Sequence, residues 1–231
     1  YIILGLKEDY TREVIAIVNI PHESAQGWSL IFDDLQDRGL QSVGLFVSDA
    51  LPGLGKVIQI HFPESDHQKC IVHLQRNLRS YVRKEDKPKL SEELRELFSP
   101  DKQEYTQEQA LASFEGFKTR WAKSYPALGK HLNKLDISPY LTFLKYDYRI
   151  RRMLYTTNWI ERFNKSVKRT LKIRGSMPSE ESVLALITSV AINKGEKAYK
   201  YPIYTFKFEH ILDRNSTLPA GGYLLNQEET F

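Results

Sequence analysis

The seven residues Ser42–Ser48 (Ser-Val-Gly-Leu-Phe-Val-Ser) constrain the fold of this chain more than any other stretch. A short apolar run of this kind reads as a strand buried on both faces, and such a strand needs helices on both sides of its sheet. The flanking pattern agrees. Tyr1–Leu6 and Glu13–Ile20 are β-rich runs, and the polar link Lys7–Arg12 between them suits a hairpin. Ser24 is placed to cap a helix through Arg38, with Trp28, Leu30, Ile31 and Leu35 facing inward and Gly39 as its stop. Leu51–His61 reads as a short helix, and Lys69–Leu74 as a strand or a strand–helix junction. Strand, strand, helix, strand, helix, strand is an α/β order.

After about Arg76 the texture changes. Helix formers dominate Asn77–Val82, Ser91–Phe98 and Thr106–Ser124, punctuated by Pro88, Pro100 and Pro126. This stretch reads as an all-helical insertion. Two further helices are expected at about Asn158–Ile173 and Ser179–Asn193, and the tail beyond Arg214 reads as an extension or a disordered segment. No repeat is visible. At 231 residues, 41% hydrophobic and 27% charged, the chain has the composition of a globular protein with a real core. No apolar run reaches the roughly 18 residues of a membrane helix, so no membrane partner is expected. Tyr1-Ile-Ile-Leu-Gly-Leu lacks the marks of a signal peptide and reads as a strand beginning mid-protein. The single cysteine, Cys70, suits a reducing, cytoplasmic setting.

Charge is unevenly placed. Between Lys145 and Arg174 ten Lys/Arg stand against two acids, Asp147 and Glu161, so this segment carries +8 of a net +4 and the rest carries −4. Such clustering is the footprint of a polyanion, though a solvated basic face gives the same count. Within it Ile160, Phe163, Val167 and Leu171 form a helical apolar stripe. Glu161, Lys165, Lys168 and Lys172 share a neighbouring face. Asn158 as N-cap with Glu161 at N3 approaches a capping box, which would give Glu161 a purely structural role.

Asp49 is the natural partner for Glu161. It stands at the carboxyl end of the buried strand, where open α/β sheets place their sites, although an N-cap for the next helix is the simpler reading in isolation. Two carboxylates of this kind suit Mg²⁺, which takes hard oxygen ligands together with substrate phosphates. A pair of such ions can promote phosphodiester cleavage. Cys70 and His73 have the spacing of a metal half-site, yet a structural zinc site wants four ligands and no second cysteine exists. A buried structural role serves them equally well. Trp28 and Trp121 read as core anchors, with Trp121 the choice if one inserted aromatic touches DNA.

Three blocks carry a resemblance. Leu141-Thr-Phe-Leu-Lys-Tyr and Ile150-Arg-Arg-Met-Leu-Tyr-Thr-Thr-Asn-Trp-Ile-Glu-Arg-Phe-Asn-Lys-Ser-Val-Lys-Arg resemble the region of the catalytic Glu in Mutator-type DDE transposases of bacterial insertion sequences. Val47-Ser-Asp-Ala-Leu-Pro-Gly-Leu is similar to that family's second-Asp motif, and Lys69-Cys-Ile-Val-His-Leu-Gln-Arg-Asn to its Cys-x-x-His block. The resemblance covers most of residues 1–195 and includes the 112-residue interval from Asp49 to Glu161. It implies an RNase H-like mixed sheet flanked by helices and interrupted by the helical insertion. The implied division is 1–76 for the first part of the core, 77–140 for the insertion, 141–195 for the closing helices and 196–231 for a partly flexible extension.

The same resemblance implies that Asp49 and Glu161 are catalytic metal ligands for two Mg²⁺ ions, with Mn²⁺ able to substitute. The family's first Asp would lie upstream of Tyr1, which leaves this stretch alone without activity; Asp9, in the hairpin turn, is ordinary turn chemistry. Cys70, His73 and Asn158 belong to the motifs without an assigned role. Arg151, Arg152, Arg162, Lys165, Lys168, Arg169, Lys172 and Arg174 would hold double-stranded DNA, at transposon ends and target, in a homodimer or higher oligomer. The implied reaction is hydrolysis at the ends followed by strand transfer. Two other readings compete: a transposase-derived DNA-binding or oligomerisation module without catalysis, and an RNase H-like nuclease without strand transfer.

Overall fold

The computed structural model describes residues 1–19, 24–203 and 205, and the backbone alone of 222–228. Its centre is a five-stranded mixed sheet in the order β2-β1-β5-β3-β4. The strands are β1 (Ile2–Leu6), β2 (Arg12–Ile17), β3 (Ser42–Ser48), β4 (Asp66–Lys69) and β5 (Gly222–Glu228). Strand β1 runs antiparallel to β2 and β5, whereas β3 is parallel to β4 and β5. The chain is mixed α/β and mostly helical.

The hairpin forms as its composition predicts. Asp9 accepts a hydrogen bond from the Thr11 amide at 2.9 Å, and Tyr10 takes a left-handed backbone at φ 63°. Helix α1 (Ala25–Asp37) is capped by Ser24, whose hydroxyl accepts from the Gly27 amide at 3.1 Å. Its residues Trp28, Ile31, Phe32 and Leu35, with Leu54, Val57 and Ile58 of α2 (Leu54–His61), cover one sheet face against Ile3, Val43 and Phe46. Leu30 faces outward. Helix α2 starts at Leu54, three residues later than expected, with Gly53 as its cap: the cap's φ of +80° suits glycine, and a Cβ there would lie 3.1 Å from that of Ala25.

The opposite face is covered by α8 (Asn158–Arg174) and α9 (Glu180–Lys194). Ile160, Phe163 and Val167 are fully buried against Ile2 and Leu4, with Leu171 partly buried beside them. Each contributes on the order of 1.5–3 kcal/mol of burial, and the stripe's spacing alone aims this helix at the sheet.

Between β4 and α8 lie α3 (Ile71–Ser80), α4 (Lys87–Leu97), α5 (Gln107–Ser124), α6 (Pro126–Lys134) and α7 (Tyr148–Leu154). They share a core with Leu45 and Val47 of β3, and buried Gln68 on β4 fastens them. Its amide donates to the Tyr140 carbonyl at 3.1 Å, and its Oε1 accepts from the Phe143 amide at 2.6 Å. Trp28 and Trp121 are both buried, as core anchors should be. Helices α5 and α6 meet at Gly129, where a Cβ would stand 2.7 Å from that of Ala122. Gly129→Ala is therefore expected to destabilise the fold by about 1–2 kcal/mol in urea unfolding. Overpacking of about 1–3 kcal/mol outweighs the gain of about 1 kcal/mol in helix propensity.

Two expectations are corrected. Helix α3 begins immediately after Cys70 instead of at Asn77, because β4 ends at Lys69 and Leu74 and Leu78 carry the apolar face through. Residues 222–228, expected to be part of a loose extension, form β5; Arg214 to Gly221 lie outside the described residues. Backbone pairing supplies the reason. Strands β1 and β3 both present hydrogen-bonding edges, and a segment with strand formers at Tyr223–Leu225 satisfies both. Among the described residues no helix is long and apolar enough to cross a membrane.

Candidate active site

Strand β3 delivers Asp49 just past its carboxyl end. The carbonyl of buried Ser48 accepts from the Cys70 amide at 2.7 Å, which locks the β4–α3 junction to the end of β3. The Ile71 amide in turn donates to the Tyr155 carbonyl at 3.1 Å, bringing in the segment before α8. Three stretches far apart in sequence thus meet at Asp49, Cys70 and Thr157.

His73, one turn into α3, points its Nδ1 at Asp49 Oδ1, 2.7 Å away, with Cys70 Sγ at 3.2 Å from the same nitrogen. Thr157 is fully buried, its hydroxyl 3.4 Å from Asp49 Oδ1 and 3.5 Å from Cys70 Sγ. The hydrogen bond to Asp49, then that to Cys70, hold the His73 imidazolium so firmly that its pKa is raised from 6.5 to about 10, against the opposing effect of burial. A ring still protonated at pH 8 is the expected result, read from its ¹⁵N shifts; a neutral ring at that pH would refute the raised pKa.

Glu161 is not among these three residues. It lies on α8, 24% exposed at its side chain, and Arg76 Nη2 stands 3.8 Å from its Oε1. The Nη1 of the same guanidinium is 3.4 Å from His73 Nε2. Asp49, His73, Arg76 and Glu161 therefore lie in one polar row, with an ion pair at each end; in the middle the protonated His73 and Arg76 are neighbouring donors that share no hydrogen bond. Arg76, read from the sequence only as a boundary, is the bridge.

The capping box expected at α8 does not form. The cap position is Thr157, without a side-chain cap bond, and the Glu161 amide donates to the Thr157 carbonyl at 3.0 Å as an ordinary helical residue. Thr157 spends its hydroxyl on the site instead, and the Glu161 side chain is directed at Arg76. Asn158 is exposed at the first turn. Nor does Asp49 cap α2, whose cap is Gly53.

The basic residues divide. Arg162, Lys165, Lys168, Arg169, Lys172 and Arg174 are exposed along α8. Arg151 is 6% exposed, with its guanidinium hydrogen-bonded to the carbonyls of Tyr146, Lys102, Tyr105 and Leu144. Arg152 is exposed and forks onto Asp101. Trp121 donates its indole N–H to Glu93 at 3.2 Å.

Comparison with known proteins adds to this geometry. The family described as Transposase, Mutator family, matches residues 1–201. Similar proteins include the transposase for insertion sequence element IS1201 of Lactobacillus helveticus, 33% identical over 79% of this chain and 48% of the relative. The transposase for IS905 of Lactococcus lactis is 31% identical over 79% of this chain and 45% of the relative. A probable insertion-sequence transposase of Corynebacterium diphtheriae is 28% identical over 85% and 56%. The chain spans about half the length of these relatives.

Proposed function

This chain belongs to the Mutator family of transposases, and from that premise we propose that it forms the RNase H-like catalytic core of an insertion-sequence transposase. The core would cut phosphodiester bonds at the element's ends with Asp49 and Glu161 as its metal-binding acids. The observation carrying this reading is the polar row that joins the two acids through His73 and Arg76. Residues 1–76 and 141–195 are read as the core and 77–140 as a helical insertion.

The two side chains fit a hard divalent cation. Both are part-buried, at 15% and 24% side-chain exposure, and both already face positive charge. Mg²⁺ needs only one or two carboxylates beside water and substrate phosphates. When bound, Mg²⁺ or Mn²⁺ would activate the attacking oxygen and offset charge on the leaving one. Asp49 and Glu161 hold that charge. His73 fixes the orientation of Asp49 by its 2.7 Å contact, and the Thr157 hydroxyl donates to the same oxygen at 3.4 Å. Arg76 holds Glu161 and is exposed enough to turn towards a phosphate.

Along α8 the exposed cations Arg162, Lys165, Lys168, Arg169, Lys172 and Arg174 would take the backbone of double-stranded DNA as it leaves the acids. Arg151 and Arg152 are better read as structural. A homodimer or higher oligomer on DNA, strand transfer to a target and a cytoplasmic setting complete the proposal.

The direct test is cleavage of DNA carrying the element's ends by the full-length transposase in Mg²⁺. Asp49→Asn and Glu161→Gln should each lose cleavage while keeping their circular dichroism; activity that survives both would sink the assignment. For the basic face, Lys165, Lys168 and Lys172 changed together to Gln should flatten the salt dependence of DNA binding by about one logarithmic unit per lost phosphate contact. An unchanged slope would make that face merely solvated.

A further inference from the structure

We propose that Asp49, Cys70 and His73 form a three-ligand site for a borderline-soft divalent cation of the Zn²⁺ class, distinct in donor chemistry from the Mg²⁺ assignment yet sharing Asp49 with it. From sequence, Cys70 and His73 are two ligands in search of others. The fold supplies a carboxylate at the same point, and the three ligating atoms lie within 4.8 Å of one another. Three protein ligands with an open fourth position suffice for a catalytic or exchangeable zinc site.

The geometry is close to what such an ion needs. One ring nitrogen, His73 Nδ1, faces both Asp49 Oδ1 at 2.7 Å and Cys70 Sγ at 3.2 Å. Tetrahedral zinc with ordinary bond lengths sets the corresponding separations at about 3.4 Å for N···O and about 3.6 Å for N···S. From 2.7 and 3.2 Å the ligands need to spread by about 0.7 Å for N···O and about 0.4 Å for N···S. Cys70 is fixed, fully buried at the β4–α3 junction with its amide on Ser48. The His73 side chain is 31% exposed and Asp49 15%, so the two that must move are the two with room. Protons now hold the three atoms together, and the ion would displace them to solvent.

Donor type selects the ion. Thiolate and imidazole suit Zn²⁺ and Co²⁺, whereas Mg²⁺ prefers all-oxygen surroundings. Because Asp49 serves both, a bound soft ion withdraws that carboxylate from Mg²⁺ and would brake cleavage. That consequence rests on the function proposed above; the binding itself does not.

The test is a Co²⁺ titration of the whole transposase, free of DNA and Mg²⁺. A thiolate-to-cobalt charge-transfer band should saturate at one ion per chain and be reversed by Zn²⁺. Cys70→Ser should lose the band, and His73→Ala should weaken Zn²⁺ binding by at least the roughly 10–100-fold of an outer-shell change. Glu161→Gln should keep the band. Absence of the band in the parent protein, its survival in Cys70→Ser, unchanged affinity in His73→Ala, or its loss in Glu161→Gln would each overturn the site. Circular dichroism of every variant separates loss of ligand from loss of fold. Since the readout needs no turnover, a failure of the cleavage assignment leaves it intact.

Discussion

Arg151→Ala should lower the unfolding free energy by about 3–5 kcal/mol, the scale for stranding buried polar partners. The guanidinium is satisfied by main-chain carbonyls at 2.8 Å (Tyr146), 2.9 Å (Lys102) and 3.0 Å (Leu144), with a longer contact of 3.4 Å to Tyr105. Burial pulls its pKa down, with Asp147 opposing weakly, so the charge is held by hydrogen bonds and not by a close carboxylate. Removing it releases the cost of burying a cation but strands several acceptors, each worth about 1–3 kcal/mol when unpaired. The acceptors win because one guanidinium ties carbonyls of two separate segments, 102–105 and 144–146, although the Lys102 carbonyl also accepts from the Tyr105 amide at 3.3 Å. In urea, with a slope of about 2–3 kcal/mol per M, the midpoint should fall by roughly 1–2 M.

Arg152 supplies the internal control. It is adjacent in sequence but exposed, and its fork onto Asp101 is a solvent-screened surface ion pair that contributes little to stability. Equal midpoint shifts for Arg151→Ala and Arg152→Ala would refute the structural reading of Arg151. So would a drop in the salt slope of DNA binding in a folded Arg151→Met variant, because a residue that holds carbonyls should hold no phosphate.

These two arginines mark where the sequence stops being informative. Charge clustering from Lys145 to Arg174 treats every cation alike, and only burial separates Arg151 from Lys165. By contrast the apolar run before Asp49 and the stripe Ile160, Phe163, Val167 were legible, since each is a periodic pattern whose burial follows from its period. The separate parts of the site could be read in the same way, but their contacts could not. Asp49, His73 and Thr157 meet because of two main-chain hydrogen bonds at strand and helix ends, and backbone bonds leave no mark on side-chain pattern. Arg76 carried no signal beyond lying one turn after His73. Strand β5 was missed for a related reason: its pairing with β1 and β3 joins residues more than 170 apart, and the polar, glycine-rich run before it reads as a tail.

The second large effect concerns pH. His67 on β4 packs its Nδ1 against Gly55, and its Nε2 lies 2.8 Å from Ser48 Oγ. Burial, with Lys69 nearby, lowers its pKa to about 4. In the unfolded chain the ring titrates at about 6.5. Between those values the unfolded state binds a proton that the folded state refuses, so acid favours unfolding. The contribution is therefore complete above pH 6.5, declines as pH falls towards 4, and declines no further below it. Its size is on the order of 2–3 kcal/mol, allowing for partial exposure of the ring. Carboxylates titrate over part of the same range, so the comparison must be internal: wild type should lose about 2–3 kcal/mol more than His67→Gln between pH 7.5 and 4.5 in urea unfolding. Equal losses would mean that His67 accepts its proton in the folded state. The location gives the effect its functional weight. Ser48 also donates to the carbonyl of Asp49 at 2.8 Å, so acid acts first on the strand end that presents the candidate metal ligand. Weak acid should loosen that end before the α8 face, whose burial rests on the apolar side chains of Ile160, Phe163 and Val167.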